Sequence, residues 1–134
     1  MGLNIGLHRH LWLNTGLDYV DAELKDSGVG LPRIPPLRGR LGFDVQYKGL
    51  SIMTEAILAR DQSKVFPTET RTAGYTVFNL QASYTIAQTH AAHVFSVEAF
   101  NLSDRLYRNH LSFIKEFAPE IGRGIRFSCS ARFF

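Results

Sequence analysis

Residues 37–48, LRGRLGFDVQYK, alternate strictly. Leu37, Gly39, Leu41, Phe43, Val45 and Tyr47 share one parity, and Arg38, Arg40, Gly42, Asp44, Gln46 and Lys48 share the other. A period of two is what a β-strand with one apolar and one polar face requires. The same period recurs along most of the 134 residues, and helical periodicity is hard to find over any useful window. The chain is therefore expected to be all-β.

One long strand is expected over about 11–24, where Leu11, Leu13, Thr15, Leu17 and Tyr19 oppose Asn14, Gly16 and Asp18. The next is 37–48, followed by a strand carrying Leu50, Ile52, Thr54, Ala56 and Leu58, where Met53 and Ile57 blur the alternation. Thr76, Phe78, Leu80, Ala82, Tyr84 and Ile86 mark another, Phe95, Val97 and Ala99 a shorter one, and Ile125 to Phe133 the last. LNIGL near the start reads as the tail of an earlier strand, and a helical turn is expected within DRLYRNHLSFIKEF.

The connections alternate in length. HRH, Lys48-Gly49 and 88–92 are short, whereas 25–36, 62–74 and 103–121 are long. An antiparallel up-and-down meander with tight turns at one end and long loops at the other is the layout of a transmembrane β-barrel. Alternation alone does not say which face is inside, because a soluble sandwich alternates too. Strand length decides: several of these strands exceed ten residues, whereas soluble strands usually run about 5–6. Tyr19, Tyr47, Tyr75 and Tyr84 near strand ends fit an interfacial girdle. The apolar parity is thus expected to face lipid. Arg38, Arg40, Asp44, Glu55, Gln81 and Glu98 are expected to face a lumen, where they would solvate the wall or pair across strands.

Composition excludes more than it identifies. The net charge of +3 is spread along the chain without a basic block to track phosphates, so no nucleic-acid partner is expected. One cysteine, Cys129, gives no disulfide framework, and the start has no secretory signal pattern. No nucleophile elbow, phosphate loop or metal motif organises the Ser, His and acidic residues, so no catalysis, cofactor or metal site is expected. His8 with His10, and His90 with His93, read as solvated turn residues, and His110 with Arg108 and Lys115 as part of a polar loop. Pro32, Pro35 and Pro36 suit a loop-to-strand junction. Asn101 and Asp104 of NLSD suit a side-chain-closed turn.

The strands do not add up to a closed ring. About five to six are visible against about eight in the smallest single-chain membrane barrels, so a partial, open barrel is expected. Free edges in hydrocarbon would cost on the order of tens of kcal/mol. The chain must therefore complete a larger barrel or pool strands with copies of itself.

Several segments are specific. YVDAEL, LPRIPPLRGRLG, PTETRTAGYTVFNLQASY, FNLSDRLYRNHLSFIKEFAPEIGRG and the terminal alternating strand ending in phenylalanine occur in this order. Together they resemble the C-terminal end of the barrel of TonB-dependent outer-membrane receptors, over nearly all of residues 1–134. The resemblance implies a plugged barrel in the outer membrane of a Gram-negative bacterium, which takes up a siderophore, metal, vitamin or similar scarce nutrient. It also implies that TonB is engaged only through an N-terminal region not seen here, so this stretch alone is not expected to transport. The other implied partners are outer-membrane lipid and the barrel assembly machinery, which would read a terminal aromatic, Phe133 or Phe134. The alternative is a stand-alone small β-barrel ligand-binding protein or an oligomeric pore.

Overall fold

In the computed structural model, which describes residues 1–25 and 30–134, seven strands form one antiparallel sheet in sequence order. They are β1 (Gly2–His8), β2 (Leu11–Asp18), β3 (Arg38–Tyr47), β4 (Leu50–Ala59), β5 (Tyr75–Ala87), β6 (Ala91–Phe100) and β7 (Gly124–Phe133). Each strand pairs only with its chain neighbours, so the sheet is open and β1 and β7 each leave one edge free. The count is seven rather than five to six, because the LNIGL segment, read as the tail of an earlier strand, is a full strand of seven residues.

The end of β2 moves for an identifiable reason. The strand expected over 11–24 leaves the ladder after Asp18, and Asp21 and Glu23 instead bind the Lys64 ammonium of another loop. Pro35 and Pro36, which lack the N–H a ladder needs, lie just before β3. The central part of that connection, 26–29, lies outside the described residues. DRLYRNHLSFIKEF forms successive turns, with Ser112 N donating to Asn109 O and both Phe117 N and Ala118 N to Ile114 O.

The tight turns follow from local chemistry. Lys48 and Gly49 both have positive φ, 45° and 84°, between the paired Tyr47 and Leu50. That is the two-residue turn whose twist matches antiparallel strands. A Cβ on Gly49 would also lie 2.7 Å from the Thr85 carbonyl oxygen of the neighbouring strand. Arg9-His10 and 88–90 make the other tight turns, and 19–37, 60–74 and 101–123 make the long ones, all at the opposite end.

The molecule has little dry interior. Among the described residues the buried apolar side chains are Ile34, Ala59, Val77, Ala91 and Ala99. Leu41, Phe43, Phe78 and Phe127 do not meet in a core, being 44%, 42%, 47% and 75% exposed.

Candidate functional site

Register sorts the side chains onto two faces. Moving across the ladder, Asp18 pairs with Arg38, Gly42 with Glu55, Glu55 with Asn79, Gln81 with Glu98 and Glu98 with Arg126. Paired residues in a sheet project to the same side. Arg38, Arg40, Asp44, Glu55, Gln81 and Glu98 therefore all share one face, together with Asn4, Asn14, Ser96, Ser128 and Arg132. Leu41, Phe43, Ile52, Leu58, Phe78, Phe95 and Phe127 occupy the other face. Met53 and Ile57, which blurred the alternation, fall on the polar side.

The polar face is wired by short-range pairs. Asp18 accepts from Arg38 at 3.2 Å, and the Arg40 guanidinium lies 3.6 Å away. Glu55 accepts from Asn79 at 3.4 Å, and Glu98 accepts from Arg126 at 3.2 Å. Gln46 donates to Asp44 at 3.3 Å. Charge along this wall is neutralised across neighbouring strands where Asp18 meets Arg38 and Arg40 and where Glu98 meets Arg126, while Glu55 and Asp44 are held by neutral amides. Such a wall can stay hydrated and hold a polar surface against it.

At the long-loop end, two loops lock together over this face. The imidazole of His110, with the residue 2% exposed, has Nδ1 2.8 Å from Thr72 Oγ1 and 3.3 Å from Lys115 Nζ. Lys115 also donates to the Thr70 carbonyl at 3.1 Å, and Glu69 Oε1 stands 4.0 Å from His110 Nε2. Burial, and then the ammonium beside it, hold His110 below the usual imidazole range, against the opposing pull of Glu69. Asn101, also buried, accepts from Arg105 N at 2.9 Å and donates to the Arg105 and Ile121 carbonyls. Asp104 accepts from Arg123 N at 3.0 Å, closing the same loop. Tyr107 packs against Tyr75 with centroids 4.4 Å apart and the rings tilted by 39°.

The structure corrects several placements. Tyr75 is not a girdle residue: it pairs with Ala59 on the polar face and meets Tyr107. His93 lies within β6, on the apolar face, edge-on to Phe133, rather than in a turn. His110 is not a generic solvated loop residue but the centre of a buried polar cluster. Sequence reasoning missed that cluster because its members, Thr72 and His110, are 38 residues apart with no periodic signal. His8 and His10 stand 6.1 Å apart at the other end. Among the described residues no group of three or more His, Cys, Asp or Glu is arranged to hold a metal ion.

Comparison with known proteins fits this geometry. Residues 1–102 match the family model of the TonB dependent receptor-like β-barrel. Among solved structures, the copper transporter OprC superposes on 98% of the chain with a TM-score of 0.78 and 23% identity. At that identity the likeness shows the fold, and the chain spans 22% of OprC's length. No curated protein sequence matches. With three quarters of its residues matched, this chain belongs to the TonB-dependent receptor-like β-barrel family.

Proposed function

We propose that residues 1–134 are the C-terminal part of a receptor barrel in the outer membrane of a Gram-negative bacterium, with the apolar face on lipid and the polar face on the lumen. The complete protein takes up a scarce nutrient such as a siderophore, metal or vitamin. TonB acts on it through the region N-terminal to these strands, and the nutrient is held by the loops and lumen of the whole barrel. Arg38, Arg40, Asp44, Glu55, Gln81 and Glu98 serve as lumen wall.

The observation that carries this reading is the registered segregation of the two faces, with every long loop at one end of the sheet. A soluble protein leaving Phe43, Phe78 and Phe127 this exposed would carry an aggregation-prone surface, whereas acyl chains cover it without penalty. Strand parity favours a larger barrel over a ring of identical copies. With seven strands, β1 and β7 run in the same direction. Copies sharing one orientation would have to join through parallel pairs, while an odd number of further strands closes the ring antiparallel throughout. For assembly, the parity of β7 favours Phe133 over Phe134 as the residue read by the machinery, since Phe133 continues the apolar row of Ile125 and Phe127.

The test is orientation in cells. A short epitope inserted at Ser63, in the long loop, of the complete polypeptide should bind antibody on intact cells. One inserted at Thr89, in a tight turn, should bind only after the outer membrane is permeabilised. Equal access to both, or recovery of the protein in the soluble fraction, would contradict the proposal.

A further inference from the structure

At the tight-turn end, the β1–β2 and β3–β4 turns stand side by side, with Gln46 N donating to His10 O at 3.0 Å. Between them lies a shallow, open cleft of about 540 Å³. Its polar lining consists of hydrogen-bond donors: Arg9, His10, the Trp12 indole, Gln46, Lys48 and Ser51. No carboxylate among the described residues lines it. The nearest acid on these strands, Asp44, accepts from Gln46 at 3.3 Å.

The two fixed cations sit on separate turns. The Lys48 ammonium lies 5.2 Å from the Tyr47 ring centroid, and His10 meets the same ring edge-on at 5.3 Å. Tyr47 and Leu50, 49% and 37% exposed, complete the lining and belong to the apolar face. The cleft therefore opens where the apolar surface ends. Arg9, His10 and Lys48 reach it from the two turns, Trp12, Gln46 and Ser51 from the polar face of the strands, and Tyr47 and Leu50 from the apolar face, so the cleft straddles the rim of the sheet.

We infer that this cleft binds the phosphate group of an anionic glycerophospholipid, with Arg9 and Lys48 flanking the phosphate and Tyr47 and Leu50 against the glycerol and upper acyl chain. A free phosphate would satisfy the same donors but would make no use of the apolar side. The inference rests on the membrane-facing orientation proposed above.

The test uses the complete polypeptide folded in zwitterionic detergent, titrated with phosphatidylglycerol or phosphatidylcholine and read by native mass spectrometry. A preference of about thirtyfold for phosphatidylglycerol is expected from two cations near a lipid surface. The Arg9→Gln/Lys48→Gln double variant should lose it, and the charge-keeping Arg9→Lys/Lys48→Arg variant should retain it. Heat-modifiable gel migration checks folding in both. Equal retention of the two lipids by the wild type, or an undiminished preference in the Gln variant, would overturn the inference. So would displacement of phosphatidylglycerol by an equal concentration of inorganic phosphate. A polypeptide that retains neither lipid and stays soluble without detergent would instead sink the membrane orientation itself.

Discussion

The two ends of this sheet are built on opposite principles. At the tight-turn end, each connection is two or three residues long and its geometry is set locally, as at Lys48-Gly49 with both φ positive. At the long-loop end, the connections are 15 residues or longer, and what holds them is non-local: Thr72 to His110, Lys115 to Thr70, Lys64 to Asp21, Asn101 to Ile121. Buried polar side chains are found in the second region, and exposed large apolar ones line the sheet between the ends. A barrel wall needs only its ladder and a solvent of the right polarity on each face. Loops that must hold a shape above it need a small core of their own.

The comparison can be broken most forcefully on the sheet. Phe43→Arg puts a charge in the middle of β3 on the apolar face and should cost about 2–4 kcal/mol in a bilayer, whereas Ser128→Arg on the polar face should cost little. Unfolding of the complete polypeptide from vesicles measures both, and equal costs would erase the distinction between the faces. Next in size is Asn101→Ala. It removes a buried side chain that satisfies one N–H and two carbonyls, and should cost about 1–3 kcal/mol. Hydrogen exchange should quicken across 101–123 while β3 and β4 keep their protection.

At the tight-turn end, Gly49→Ala should cost about 1–2 kcal/mol from the left-handed backbone alone, with the 2.7 Å approach to Thr85 O adding to it. Here the loss should localise to the β3–β4–β5 register. A softer probe is pH. Because folded His110 is held below its usual value of 6.5, the opened loops bind a proton more readily than the closed ones. Loop stability is therefore complete above about pH 6.5 and declines as pH falls below it. Exchange at 69–72 and 109–117 should quicken on acidification, and His110→Gln should flatten that dependence. Smallest of all, Glu98→Gln removes one partner of an ion pair whose arginine is 68% exposed. It should change stability by less than about 1 kcal/mol.

What was legible in the sequence follows the same divide. A period of two survives any tertiary context, so strand positions, the pairing of tight and long connections, and the common face of Arg38, Glu55 and Glu98 could all be read from residue parity. Even Tyr75, wrongly assigned to a girdle, sits on the polar parity of its own strand. The end of β2 was not legible, because Tyr19 and Val20 continue a plausible strand and only Asp21 and Glu23 meeting Lys64 explain the departure. The His110 cluster was illegible for a deeper reason: a buried polar contact between two loops leaves no periodic trace, and its members look like any solvated residues.

The central claim is the orientation of the two faces. Single nitroxides at Leu41, Phe43, Phe78 and Phe127, and at Arg40, Gln81 and Glu98, in the complete polypeptide reconstituted in vesicles, read it directly through collision with oxygen and with a water-soluble nickel complex. The account predicts oxygen-dominated relaxation at the first group and nickel-dominated relaxation at the second. Nickel access to Phe43 and Phe78, with Arg40 and Gln81 shielded from it, would contradict the account.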